Sequence, residues 1–240
     1  MSTHSTDKND ITHHESITMP DERVHVHNNS SQAAAVAAHM PVAGQFDPAP
    51  LGLGAFACTS LVLGLVNTGQ TDLFPSVAVG LCLGYGAVAQ LLAGLFEARR
   101  GNTFSATAFC SYACFYFSYG IMLMPTSGFA QSAEAAGAAA ASTASGAFQL
   151  PWAAISFLFF LATFKQPIIM RVFLGLIFLT FFLGTLGGFL LNPAVTKASG
   201  WVSILLSMTA FYGFAALLWT KEISYITLPI GAPAGVVKHE

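Results

Sequence analysis

Charge is what this sequence has least of. Nine Lys and Arg and eleven Asp and Glu make up 8% of 240 residues, where a soluble domain carries roughly 25%. Twenty charges do not furnish the polar surface a soluble chain of this length needs, and 54% of the residues are apolar, with 21 Phe and a mean hydropathy of +0.63. A net charge of −2 supplies no basic footprint for nucleic acid. Four Cys are too sparse for a secreted disulfide scaffold. What is left is a chain whose outer surface faces lipid.

The positions of the charges say more than their number. None falls between Pro48 and Thr71, between Leu73 and Phe96, or within Gly101–Ala133, Ala135–Phe164, Val172–Thr196 and Ala198–Thr220. A helix needs about 20 mostly apolar residues to cross a hydrocarbon core of ~30 Å. These windows predict six spanning helices near 50–69, 75–97, 104–124, 148–165, 168–191 and 200–220. The runs are too long for strands and lack the period-2 alternation strands would show. The fold class is therefore an all-α integral membrane protein. Six spans put both termini on one side, together with the turns near 98–103 and 165–171. That side holds Lys8, Arg23, Arg99, Arg100, Lys165, Arg171, Lys221 and Lys238, and the other holds Lys197 alone. The positive-inside rule then assigns both termini to the cytoplasm.

Residues 1–46 read as a separate, disordered polar tail, rich in Ser, Thr, Asn and His and without the apolar stretch of a signal peptide. Six of the seven His lie there, among them the pairs His13–His14 and His25-x-His27, which read as solvated rather than metal-binding. The organisation expected is this tail, a membrane domain over 47–232 and a short tail over 233–240. Gln131–Gly146, between the third and fourth spans, is small-residue-rich and reads as a loop with room for a short surface helix.

Within the spans, small and hydroxyl residues recur at helical spacing: Gly52, Phe56, Thr59/Ser60 and Asn67 in the first, Gly80, Gly84, Ala87 and Gly94 in the second, with Gln90 and Glu97 nearby. The third carries Thr103, Thr107, Cys110/Ser111, Cys114 and Ser118, and the sixth Ser203, Ser207, Ala210 and Phe214. Such stripes read either as packing seams between helices or, taken together, as the wall of a narrow path across the membrane. No Lys, Arg, His or Asp lies deep in any span, so there is no proton relay, nucleophile–base pair or metal-ligand set. Cys110 and Cys114, one turn apart, lack His or carboxylate partners and read as small packing residues. Neither an enzyme nor a metal or cofactor is expected. A path with hydroxyls, aromatics and no fixed charge suits a small, weakly polar solute: a short carboxylic acid, ammonia, water or a small polyol. A carboxylic acid with a pKa near ~4.3 is neutral in only about one molecule in several hundred at pH 7, so its anion would need hydroxyls, amides or helix N-termini to hold it.

Three segments carry a resemblance. Asp47-Pro-Ala-Pro-Leu-Gly-Leu-Gly-Ala-Phe56 opens the first span, and Leu228-Pro-Ile-Gly231 follows the sixth. Between them run Tyr85-Gly-x-x-Ala-Gln90, Gly94-x-x-Glu97, Gly101-Asn-Thr-Phe104 and Thr107-Ala-Phe-x-Ser-Tyr112. Over roughly residues 46–232 the chain resembles the acetate uptake transporter family, the fungal acetate/ammonia-export proteins and bacterial succinate–acetate permeases. The resemblance implies a six-helix protomer with its own pore, assembled as a ring-shaped homo-oligomer, usually a hexamer. It implies passage of acetate and related monocarboxylates, sometimes succinate, by proton symport in some members and as a channel in others. It further implies a hydrophobic constriction, whose members fall here at Phe56, Tyr112 and Ile177, with Leu176 next to the last. Ala210 falls at a position tied to acid size preference. Gln90, Asn102, Thr107 and Ser111 are candidate pore-lining or substrate-contacting residues; for Gln90 and Asn102 the competing role is interhelical bonding or capping, and for Ser111 a bond back to its own helix. Asp47 stands where the family usually has Asn, a position that can cap the helix. The expected function is a plasma-membrane transporter or channel for acetate and other small carboxylates. The alternatives are an ammonium/ammonia exporter, or a membrane sensor of acid stress whose tail signals.

Overall fold

The computed structural model describes residues 46–70 and 72–231; the expected tails over 1–46, apart from Phe46, and 233–240 lie outside the described residues. Among the described residues every regular element is helical, and six helices are long and apolar enough to span a membrane. They are α1 (Ala49–Thr68), α2 (Pro75–Arg99), α3 (Thr103–Leu123), α5 (Ala138–Leu161), α6 (Ile168–Phe189) and α7 (Pro193–Leu218), with a short α4 (Phe129–Ala136) before α5.

Local chemistry sets the ends. Gly69 closes α1 in the left-handed conformation, φ 60°. Asn102 caps α3, accepting from Ser105 N–H at 3.2 Å, and Asn192 caps α7, accepting from Ala194 N–H at 3.0 Å. The α5 boundary differs from the sequence expectation: the helix begins at Ala138, ten residues before the expected 148. The Ala-rich run is a strong helix former, and Gly137, φ 87°, divides it into α4 and α5. Likewise α7 starts at Pro193 rather than near 200, because Pro at the first helical position needs no N–H partner there. Lys197 thus lies on α7, exposed.

Helix α1 is the hub. Of its most apolar window 61% is buried, against 17% for α5. It packs on α7 and α2, while α6 bridges α5 and α7 and α3 lies along α2. Glycine permits the closest crossings. A side chain on Gly200 of α7 would meet the backbone of Asn67 and Thr68 within 2.7 Å, so α1 and α7 touch main chain to main chain. Ser203 reinforces the pair, donating to Ser60 O across it at 3.0 Å.

The second span departs from a regular helix: Pro75–Ala78 is a 3-10 turn and Leu81–Ala89 a π-helical stretch, with α-geometry from Gln90 onward. This disrupts the small-residue seam expected over 80–94. Ala87 and Gly94 are buried, but Gly80 and Gly84 point outward with nothing within 4 Å of a Cβ built on either. A stretch wound by i→i+5 bonds does not keep the 3.6-residue period that aligned those positions on paper.

Candidate functional site

Phe56 sits where α1, α3 and α6 meet. Its ring makes edge-to-face contacts with Phe173 (5.0 Å between centroids), Tyr116 (5.7 Å) and Tyr112 (5.8 Å). Such pairs prefer this geometry because a positive ring edge meets a negative face. All four rings are buried. Tyr112 pairs its hydroxyl with Ser156 Oγ at 3.0 Å, tying α3 to α5. Tyr116 makes a long bond, donating to Phe56 O at 3.5 Å, and its hydroxyl also meets that of Ser60.

Two cavities flank this ring, and Phe56 lines both. The one toward the end carrying Arg99, Arg100 and Arg171 holds about 30 Å³ and is nearly all apolar: Leu53, Phe104, Phe109, Met170, Phe173 and Leu174, with Ser105 and Tyr112 its hydroxyls. The cavity beyond Phe56 holds about 40 Å³. It mixes apolar Leu63, Ile177, Phe181 and Leu206 with Asn67, Gln149, Tyr119 and the hydroxyls of Ser60, Thr180, Ser199 and Ser203. At roughly 10–15 Å³ per water, each has room for a few waters or a solute of a few heavy atoms. No basic or acidic side chain lines either one.

The other sequence candidates are spread more widely. Ile177 is fully buried and lines the far cavity, whereas Leu176 packs at the margin of the core and lines neither cavity. Ala210 is fully buried in the core and lines neither. Gln90, fully buried, donates to Gly52 O at 3.3 Å and so ties α2 to α1, while its Oε1 has no hydrogen-bond partner. Asn102, besides capping α3, donates to Glu97 Oε2 and Ser105 Oγ, each at 2.9 Å. Thr107 is exposed and donates to Thr103 O of its own helix at 2.7 Å; Ser111 is half-buried, and neither lines a cavity. The hydroxyl stripe on α3 thus turns away from the cavities, and the aromatic face of Tyr112, Phe115, Tyr116 and Tyr119 turns toward them.

Phe173, Tyr116, Phe115 and Gln149 were not singled out by the sequence. Phe173 lies one turn before Ile177, and the 112/115/116/119 spacing of α3 is a helical face in its own right. Asp47 accepts from Ala49 N–H at 3.1 Å and pairs with Arg100 Nη1 at 2.9 Å, joining the start of α1 to the α2–α3 turn. Tyr212 donates to Pro229 O at 2.6 Å, so the Leu228–Gly231 motif folds back on α7, and Gly231 reaches Ile168 at the start of α6. Among the described residues no three His, Cys, Asp or Glu come together as a metal set would.

Residues 30–232 match the GPR1/FUN34/yaaH family. The chain belongs to that family. Its members are transporters and channels rather than enzymes, and the six apolar helices fit a multi-pass membrane protein. Acetate permease A of Emericella nidulans is 34% identical, over 81% of this chain and 70% of the relative. Ammonia transport outward protein 2 of Saccharomyces cerevisiae is 33% identical, over 81% and 69%. The structure of the bacterial acetate channel SatP superposes with a TM-score of 0.69 at 29% identity, covering 78% of this chain and 99% of that one.

Proposed function

We propose that this chain passes acetate and other small carboxylates, succinate among the larger, across the plasma membrane through a path within each protomer. The observation that carries this reading is the pair of cavities meeting at the Phe56 ring, with no fixed charge in either wall. Phe56, with Tyr112, Phe173 and Ile177 around it, is the constriction. A dry apolar ring makes an ion shed its water at high cost, and a solute with a methyl end loses less there than a fully hydrated one. Without a fixed cation in the path, the substrate is held weakly and released readily. The protomer works in a ring-shaped homo-oligomer, a hexamer, embedded in the bilayer with both termini cytoplasmic, and protons accompany the acid as co-substrate. Support comes from the eight-to-one distribution of Lys and Arg and from the likeness to an acetate permease and an acetate channel.

Purified protein in liposomes tests the reading. Saturable uptake of labelled acetate, competed by propionate and driven faster by an inward proton gradient, is the expected result; absence of acetate flux would sink it. The second reading is ammonia export, favoured by a relative of that name and by hydroxyl oxygens that face the far cavity as acceptors. Methylammonium flux without acetate flux in the same liposomes would select it.

A further inference from the structure

The polar groups around the cavity beyond Phe56 divide by where their hydrogens go. Ser199 donates to Thr180 O at 2.9 Å, Ser203 to Ser60 O at 3.0 Å, Ser60 to Ala57 O at 3.3 Å and Thr180 to Leu176 O at 2.8 Å. A hydroxyl has one hydrogen to give. These four therefore turn lone pairs, not donors, to the cavity, and lone pairs repel an anion. The N–H and O–H groups still free to donate belong to other residues. Gln149 Nε2 makes a single long bond to Ser145 O, at 3.4 Å, which leaves its second N–H. The side chains of Asn67 and Tyr119 have no hydrogen-bond partner among the described residues.

The Gln149 amide is also held in place from behind. It is pressed against Gly184 of α6: a Cβ built on that buried glycine would run into the carboxamide, meeting Oε1 first, with Cδ at 2.7 Å and Nε2 at 2.9 Å. Any side chain at 184 would displace the amide. The closeness of α5 and α6 here is general, since Gly146 and Gly188 meet backbone to backbone one turn away.

We propose that Gln149 is the principal donor receiving the carboxylate in this cavity, with Asn67 as a second donor, and that Gly184 is the positioning residue that seats the Gln149 amide. The assignment rests on the carboxylate reading above and names the groups that would hold the acid. It also moves the holding role from the Ser and Thr stripes to two carboxamides.

The test is acetate uptake in liposomes by wild type, Gln149→Leu, Gln149→Ala, Gly184→Ala and the double variant Gly184→Ala/Gln149→Ala. Losing a hydrogen bond to a charged partner corresponds to roughly tenfold or more in affinity, so Gln149→Leu should raise KM for acetate about tenfold with the maximal rate within about twofold. Gly184→Ala should assemble, because the flexible Gln149 side chain can swing aside, and should raise KM similarly. Truncating the displaced amide should relieve the clash, so the double variant should assemble and show the KM of Gln149→Ala alone. A KM for Gln149→Leu within about twofold of wild type would overturn the donor role. A double variant that fails to assemble, or whose KM is the product of the two single effects, would overturn the positioning role. Wild type without saturable acetate flux would overturn the carboxylate reading and this assignment together, whereas normal wild-type flux with an unchanged Gln149→Leu overturns this assignment alone.

Discussion

The two cavities on either side of Phe56 are walled by successive turns of the same helices, α1, α3 and α6, yet they differ in chemistry. The one toward the arginine-bearing end offers two hydroxyls, and both have partners: Ser105 accepts from Asn102, and Tyr112 pairs with Ser156. The other adds α5 and α7 to its wall and gains two carboxamides, a free tyrosine hydroxyl and four hydroxyls. A small solute moving between them passes from a wall that offers it few hydrogen bonds to one that offers many, across a ring that offers none. On the proposed reading the difference separates barrier from holding site: aromatic packing on α1, α3 and α6 supplies the first, and the carboxamides of Gln149 on α5 and Asn67 on α1 supply the second.

Removing the ring that divides the cavities should have the largest effect. Phe56→Ala should merge them, raise succinate flux relative to acetate severalfold, and lower stability by about 3–5 kcal/mol through loss of three aromatic contacts. Competition assays in liposomes and thermal unfolding in detergent measure both; an unchanged acid-size profile would reduce Phe56 to a packing residue. On α6, Phe173 touches that ring and Ile177 lines only the far cavity. Phe173→Ala should therefore relax size selectivity more than Ile177→Ala does, and the reverse order in the same assay would move the constriction one turn along the helix. Tyr112→Phe deprives buried Ser156 of its 3.0 Å partner, a loss of about 1–3 kcal/mol. It should lower the unfolding temperature and slow acetate flux only modestly, because the ring itself stays. The smallest effect belongs to Thr107→Val, whose exposed hydroxyl serves only its own helix. Stability should change by less than about 0.5 kcal/mol and flux not at all; a clear drop in flux would bring that face of α3 into the path.

Much of the fold could be read before any coordinate. The gaps between charges located six spans to within a few residues, except where Ala138–Ala147 extended α5 and Pro193 advanced α7. Both exceptions are local: the small residues opening α5 look like loop by hydropathy and behave as helix by propensity, and Pro193 starts α7 ahead of the charge at Lys197. The site was less legible. Phe56 and Tyr112 stand at the ring by their motifs, but Thr107, which opens the same motif as Tyr112, faces outward. A Thr in a helix can satisfy itself on the carbonyl four residues back, so its polarity does not say which way it faces. Glycine was similarly silent: Gly84 is exposed and Gly184 is pressed against an amide, and no feature of either local sequence distinguishes them.

The sequence by itself determined that the chain lies in a bilayer, how many times it crosses and which ends carry its positive charge, because those properties follow from the spacing of groups too costly to dehydrate. Only the tertiary structure decided which aromatic rings meet, which hydroxyls have hydrogens left to give, and that a carboxamide on α5 rests on a bare glycine of α6. Those depend on how helices are rotated against one another. In a uniformly apolar span that rotation is set by close packing between neighbours rather than by any amphipathic face.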